Sequence, residues 1–405
     1  MEETKNNHFC IQPFVNITAK SDGNYYPCCL AQKSFGGYEK TSVSEYYNSK
    51  FLKDLKKNLL NGKKLELCQS CQTQEEVHKR SHRQEYNKFF KIKDKQNISY
   101  YEKIVKNYKI QDLEKPLLAE LHITNLCNLK CLTCSEVASS QIHAENKKLG
   151  ILENPDADYN KVVVHSMKAL EEIIHPNLIE LNVRGGETFI VPQLKKLLKG
   201  VSPEKARNIT LKIDTNGTNT PDREWLDIFR KFKKLVVIIS IDAYAEDNHY
   251  VRYPSQWSKI LKTIQWFKSN DLMFTINTVV SNLNIMNIDK LLRWIQKEEL
   301  LCYVYVLHNP IFFRPDNLPK ECLELAIERL SKVPRIYKNP DTVDSVDNLV
   351  MMCKNKLKTD MNRLQWKLFV KEVSMRDKHR GNDITKMIPE LTPYFKTINM
   401  DNAKI

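Results

Sequence analysis

Between residues 116 and 310 the chain alternates short runs rich in Val, Ile and Leu with stretches of helical periodicity, and this alternation limits its fold more than any other feature. Strands that take turns with helices build βαβ units around a parallel sheet. The runs predict strands at 117–124, 178–184, 208–215, 234–242, 272–280 and 302–307. Helices are expected between them, for example at 134–149, 221–232 and 255–268. Six strands fit an α/β fold of the partial (β/α)6, TIM-like barrel kind, and in such sheets ligands bind at the carboxyl ends of the strands. At 405 residues the chain exceeds one ordinary core and is expected to hold two or three domains.

The first predicted strand leads into Leu121–Cys134, LHITNLCNLKCLTC, in which Cys127, Cys131 and Cys134 stand in a C-x3-C-x2-C spacing. Thiolates are soft ligands that hold iron–sulfur clusters, normally four to a cubane. Three within so short a span can bind three irons and leave the fourth open to a small chelating co-substrate. The alternatives are a zinc knuckle, or three buried thiols acting as small hydrophobes. Zinc sites usually draw their ligands in two pairs, and no such partner closely follows Cys134.

A second cysteine constellation lies upstream. The segment FCIQPFVNITAKSDGNYYPCCL reads as a β-hairpin turning at Asp22-Gly23, with Cys10 before the first strand and Cys28 and Cys29 ending the second. A helical pattern over 43–60 and a stop at Asn61-Gly62 precede the pair Cys68-Gln-Ser-Cys71. A hairpin end plus a C-x2-C can gather four thiolates, from Cys10, Cys28 or Cys29, Cys68 and Cys71. Adjacent strand residues face opposite ways, so only one of Cys28 and Cys29 is expected to ligate. Zinc ribbons are built the same way, and zinc stays the alternative metal.

Each later strand ends in a polar motif. Arg184-Gly185-Gly186-Glu187 offers backbone that can approach a ligand closely, with a carboxylate suited to an ammonium group. Asp214-Thr215-Asn216-Gly217 presents small polar groups, Ser240-Ile-Asp242 is followed by Arg252, and FTINTVVSN carries Asn277. A hydroxyl and a planar guanidinium suit a carboxylate; Asp242 either orients Arg252, contacts a ligand or caps the next helix. Taken singly, such motifs are turns.

Taken in order, they resemble the radical S-adenosylmethionine (SAM) superfamily. The three-cysteine run, with asparagines on both sides of Cys127, is similar to its cluster signature. Gly185, Gly186 and Glu187 match its GGE, with Thr188 where a proline is usual. Thr215 and Asn216 match its T-N-G, and Ser240, Asp242 and Arg252 its S-x-D…R. The resemblance implies a partial parallel barrel and a [4Fe–4S] cluster on Cys127, Cys131 and Cys134. It further implies SAM held by the later motifs, and cleavage of SAM to a 5′-deoxyadenosyl radical that abstracts a substrate hydrogen. The N-terminal pattern C-x2-P-F…D-G-x-x-x-P-C-C…C-x2-C resembles the twitch or SPASM auxiliary-cluster modules of such enzymes, although these usually follow the barrel. Some relatives carry a carboxylate where Cys29 stands. The resemblance also implies a reducing partner such as a flavodoxin or ferredoxin and, by analogy, a peptide or protein substrate. A nucleoside or RNA substrate, or a non-enzymatic iron–sulfur or zinc scaffold, are the other readings.

The expected division is an auxiliary module at 1–80, a connector at 81–115, the barrel at 116–310 and a helical extension at 311–405. The connector interleaves Lys with Tyr86, Phe89, Phe90, Tyr100 and Tyr101, a pattern of single-stranded nucleic-acid binders but more often of a helix packed on its neighbour. Helices are expected at 320–332, 345–375 and 383–389, with Cys302, Cys322 and Cys353 as isolated structural thiols. The net charge of +14 is spread along the chain rather than gathered in a stripe, which favours a solvated Lys-rich surface over a nucleic-acid face. MEETKNNHF has no apolar core of a signal segment, and no uninterrupted apolar run is long enough to span a bilayer. A cytoplasmic location without membrane attachment is therefore expected, and eleven cysteines then point to metal ligation rather than disulfides.

Overall fold

The computed structural model describes residues 8–38, 40–78, 81–90, 115–122, 124–155 and 171–396. Tyr100, Tyr101 and Ile123 lie outside the described residues. The chain divides into two compact units. The first comprises Met1–Asn128, Glu136–Asp214 and Pro221–Val236, and the second Leu129–Ser135, Thr215–Thr220 and Val237–Ile405.

In the first unit, strands β1 (Asn16–Ala19), β2 (Asn24–Tyr26) and β3 (Gly36–Gly37) form an antiparallel meander. The expected Asp-Gly turn is present: Asp22 Oδ1 accepts from Asn24 N at 3.0 Å, and Gly23 takes φ 86°, which a glycine reaches without a Cβ penalty. One helical turn, Gln12–Val15, separates Cys10 from β1. Strand β1 then pairs in parallel with β4 (Leu118–His122), Thr18 opposite Glu120. Strands β5 (Glu180–Arg184) and β6 (Thr210–Thr215) continue the parallel set.

Because side chains alternate along strands, this register sorts them into two faces. Ala119, Leu181 and Leu211 form one row and Leu121, Val183 and Ile213 the next, all buried. Each large member of these rows contributes about 1.5–3 kcal/mol by leaving water. The opposite face carries Thr18, Glu120, Asn182 and Lys212 in one row, with His122, Arg184 and Asp214 beyond them. A polar row this deep marks a surface built for chemistry rather than for packing.

The pattern over 43–60 is two helices, Val43–Asn48 and Lys50–Leu60, split at Ser49. Ser49 leaves the helical region (ψ 148°), and its hydroxyl accepts from Leu52 N at 3.2 Å, an N-cap inside what reads as one apolar stripe. Further on, the helices Gln69–His78 and His82–Phe89 are clamped to the chain start. Arg83 donates to both carboxylate oxygens of Glu75 at 2.9 and 2.8 Å and to Phe9 O at 2.8 Å. Asn87 Nδ2 donates to the same Phe9 carbonyl at 2.9 Å. Removing one member of a mostly buried ion pair strands the other, so Arg83→Ala is expected to lower the unfolding free energy by about 3 kcal/mol, with Arg83→Lys intermediate, in urea titrations.

In the second unit, β7 (Lys234–Ser240, from Val237 on), β8 (Phe274–Val280) and β9 (Cys302–Val306) run parallel, Ser240 opposite Asn277. The helix Ile288–Lys297 buries Ile288, Leu291, Leu292 and Ile295, the spacing of a single helical face. The expected helix at 345–375 is again two, Pro340–Lys356 and Arg363–Arg380, the second capped by Asn362, which accepts from Gln365 N at 3.2 Å. Asn339 and Thr342, at the start of the first, donate to the Cys302 carbonyl of β9 at 3.0 and 2.6 Å. Among the described residues, no helix is long and apolar enough to cross a membrane.

Candidate functional site

Cys10 leads into the first helical turn, Cys28 follows β2 after Pro27, and Cys68 and Cys71 sit where a 3-10 turn passes into the helix Gln69–His78. These four thiols line one cavity, whose other walls are Pro13, Pro27, Leu30, Leu67 and Arg83. Burial, followed by the neighbouring Cys28, Cys71 and Cys68, raises the Cys10 thiol well above its ordinary range. Burial and Cys71 push Cys68 up to about 11. Four thiols crowded out of water cannot ionise together unaided, and a bound metal's positive charge is what stabilises them as thiolates. The chemistry of the donor set thus fits a four-cysteine cluster.

Cys29 points elsewhere. Its Sγ lies 3.4 Å from His82 Nε2. Burial, then the Glu120 carboxylate, raise its thiol well above the usual range. The pair does not end β2 as expected: the strand stops at Tyr26 and both cysteines lie in the turn beyond Pro27, with Cys28 on the cavity and Cys29 beside His82 and Glu120.

That polar face is tightly coupled. Glu120 Oε1 is 2.9 Å from His122 Nε2 and 3.4 Å from the Arg184 guanidinium, whose Nε is 3.1 Å from Asp214 Oδ2. Burial opposes the Glu120 charge, but Arg184 and His122 win and hold its carboxyl well below the usual range. Burial dominates at Asp214 and raises it despite Arg184. Lys212 pairs with Glu180 at 2.7 Å, and Tyr86 of the helix His82–Phe89 donates to Glu180 at 3.5 Å. Among the described residues, Asn182 Oδ1 and Asp214 Oδ1 are buried acceptors without a hydrogen bond. The sequence reading assigned no role to Glu120, His82, His122 or Arg184. The available signal was a carboxylate inside an apolar strand, LLAELHI.

In the same unit, Gly185 (φ 98°) and Gly186 (φ 56°) lie directly on the loop that precedes Cys127. A Cβ on Gly186 would sit 2.0 Å from Leu126 O, and one on Gly185 2.8 Å from Thr124 O. Only glycine permits this approach. Glu187 is fully buried; its backbone N–H donates to Leu126 O at 2.8 Å, and its carboxylate accepts from Phe189 N at 3.2 Å. Ser140, at the start of the helix Ser140–Leu149, accepts from Cys127 N at 3.1 Å and fixes the first cysteine of the run.

The second unit holds the remaining candidates. Arg252 Nη1 donates to Asp242 Oδ2 at 2.7 Å, and Val279 N donates to Asp242 Oδ1 at 2.9 Å. Of the roles open to Asp242, orienting Arg252 is the one the geometry displays. Asn248 and Asn284, both missed in the sequence, hold the loop around it: Asn248 Oδ1 accepts from Asp242 N, and Asn284 Nδ2 donates to Asp242 O. Burial raises the Cys131 thiol, and the nearby Arg252 works against that rise. Thr215 Oγ1 accepts from Gly217 N at 3.1 Å and Asn216 Oδ1 from Thr218 N at 2.9 Å, forming a tight turn packed under Ile239. Ser240, the last residue of β7, is the register partner of Asn277, which lies in the middle of β8 rather than at its end. Cys134 is half-buried, its N–H bonded to Cys131 O. At the far end of the helix Arg363–Arg380, Asp377 accepts from Tyr250 OH at 2.8 Å and Arg380 lies over the Tyr253 ring, so the run at 377–381 anchors the loop that carries Arg252.

Parallel strands with a buried polar face, a glycine cradle against the loop before Cys127 and a cavity lined by four thiols define an α/β protein with a thiol-rich metal-binding site. Residues 121–295 match the model of the radical SAM superfamily and residues 10–72 that of the SPASM iron–sulfur cluster-binding domain, so the chain carries a radical SAM domain preceded by a SPASM-type module. The radical SAM match implies a SAM-cleaving [4Fe–4S] cluster and SAM, and the SPASM match implies auxiliary iron–sulfur binding. The chain is similar to anSMEcpe with bound AdoMet at 18% identity, over 53% of this chain and 56% of that one, with a TM-score of 0.37. It is similar to Streptococcus suis SuiB bound to precursor peptide SuiA at 15% identity, over 71% and 62%, with a TM-score of 0.36. The chain thus spans less than two thirds of either structure, and the assignment rests on the family matches. Among curated proteins, none matches the chain.

Proposed function

We propose that this chain is a radical SAM enzyme with one auxiliary cluster, acting on a peptide or protein. Cys127, Cys131 and Cys134 hold the first cluster, and Cys10, Cys28, Cys68 and Cys71 the auxiliary one. Gly185, Gly186 and Glu187 take the SAM amino group, Ser240 and Arg252 its carboxylate, Thr215 and Asn216 its ribose, and Asn277 its adenine. Bound and reduced by a partner such as a flavodoxin or ferredoxin, the first cluster supplies the electron that cleaves SAM to a 5′-deoxyadenosyl radical. The chain's own task is to orient both reactants and exclude water and competing hydrogens. Asp242 fixes the Arg252 fork, and the glycine cradle keeps backbone carbonyls within reach of an ammonium group. The proposal includes a partial barrel built from the parallel strands and a division into 1–80, 81–115, 116–310 and 311–405.

The observation that carries this reading is the gathering of four distant thiols around one cavity in a chain that also carries the three-cysteine run. The peptide class draws support from the polar face, where the buried acceptors Asn182 Oδ1 and Asp214 Oδ1 suit N–H donors and the carboxylates disfavour phosphate. Anaerobically reconstituted, dithionite-reduced protein is expected to turn SAM into 5′-deoxyadenosine and methionine. In a Cys127/Cys131/Cys134→Ala variant that product disappears, and iron falls from about eight to about four per chain. Persistence of 5′-deoxyadenosine in the triple variant would overturn the assignment.

A further inference from the structure

Cys29 and His82 have no part in the reaction proposed above, and Glu120 enters it only as one of the carboxylates of the polar face. Yet the Cys29 sulfur, a His82 ring nitrogen and a Glu120 carboxylate oxygen all lie within 4.8 Å of one another. The Cys29 Sγ to His82 Nε2 distance is 3.4 Å. Ligands at about 2.3 Å (sulfur) and about 2.0 Å (nitrogen) from a tetrahedral zinc ion stand about 3.5 Å apart, so this pair needs almost no adjustment to bind one. Thiolate, imidazole and carboxylate are the three donor types zinc accepts, and three protein ligands with one position open is the arrangement of catalytic zinc sites. Glu120 is buried, and its Oε1 already receives His122 at 2.9 Å and Arg184 at 3.4 Å, outer contacts of the kind that orient a ligating carboxylate. Charge agrees. Glu120 and Asp214 share the Arg184 guanidinium, which leaves one negative charge over when both imidazoles are neutral. A divalent ion together with the Cys29 thiolate brings this group to neutrality.

We propose that Cys29, His82 and Glu120 form a mononuclear site for a borderline divalent cation, zinc by donor chemistry, separate from the four-thiol cavity that Cys28 lines. The proposal rests on Cys28, not Cys29, being the fourth thiol of that cavity. Its position on the polar face of β4 gives the open coordination position to water or to a donor atom of whatever lies on that face.

The test uses full-length protein, reconstituted anaerobically with iron and sulfide, treated with excess zinc chloride and desalted. Wild type is expected to keep about one zinc per chain. Cys29→Ser and His82→Gln are expected to hold at least about tenfold less zinc with unchanged iron, and Glu120→Gln to weaken it by about 10–100-fold. Zinc X-ray absorption of the wild type should show one sulfur at about 2.3 Å and nitrogen or oxygen at about 2.0 Å. Four sulfur neighbours would put zinc in the Cys10, Cys28, Cys68 and Cys71 cavity and overturn the proposal. So would zinc retained in both variants, or none held by wild type. Loss of iron together with zinc in Cys29→Ser would instead make Cys29 a cluster ligand, overturning the Cys28 assignment. Should a variant fail to fold, the wild-type absorption spectrum decides alone.

Discussion

Gly186→Ala is expected to cut 5′-deoxyadenosine formation by at least about 100-fold and to lower the unfolding free energy by about 3 kcal/mol. The added Cβ would lie 2.0 Å from Leu126 O and 2.7 Å from Leu126 C, backbone atoms that no rotamer change can move. Either β5 must withdraw from the loop or the loop before Cys127 must shift, and both disturb the presentation of the first cluster cysteine. The residue's φ of 56° adds a further cost for any side chain. Gly150→Ala is the matched control: it has a similar φ of 69° but nothing within 4 Å of the added carbon. It is expected to cost about 1 kcal/mol and to leave SAM cleavage intact. Thermal unfolding with chromatography of the nucleoside product reads both effects. Equal loss of product in the two variants would show that backbone conformation, not the close approach to Leu126, matters there.

Cys28→Ser is expected to remove about four of about eight irons, whereas Cys29→Ser keeps them all. Cys28 lines the cavity with Cys10, Cys68 and Cys71, while the Cys29 sulfur lies against His82. Iron and sulfide analysis of the two single variants, prepared side by side, checks this, and the reverse pattern would make Cys29 the ligand. Electron paramagnetic resonance of reduced protein should retain the signal of the SAM-binding cluster in both.

Much of the architecture was legible because it follows from local pattern. The runs around Leu181, Ile213, Ile239 and Ile276 became strands within two or three residues of the expected bounds, since β-branched residues that alternate with polar ones suit a pleated surface with one buried face. The hairpin at Asp22-Gly23 was equally local. Helix breaks were missed at Ser49 and before Asn362, because the apolar spacing carries on past both, although each is a good N-cap that a closer reading of capping would have found. The four-thiol gathering followed from the hairpin and the C-x2-C, but the choice between Cys28 and Cys29 depends on the exact end of β2. The contacts of Glu120 with His82 and Arg184 were out of reach, because they join residues far apart in sequence and no periodicity records which distant elements meet. The role of Arg83 was hidden for the same reason: its partners include the carbonyl of Phe9.

Strand β1 pairs in parallel with β4, about a hundred residues further along the chain. A ribosome therefore finishes the N-terminal hairpin well before its neighbour exists, and the Asn16–Ala19 edge waits without a partner strand until Leu118–His122 has emerged. Such delayed pairing slows folding and favours wrong partners in the interval. It also makes the two modules inseparable in practice: a fragment starting after residue 115 would present β4 as a naked margin, ready to stick to its own copies.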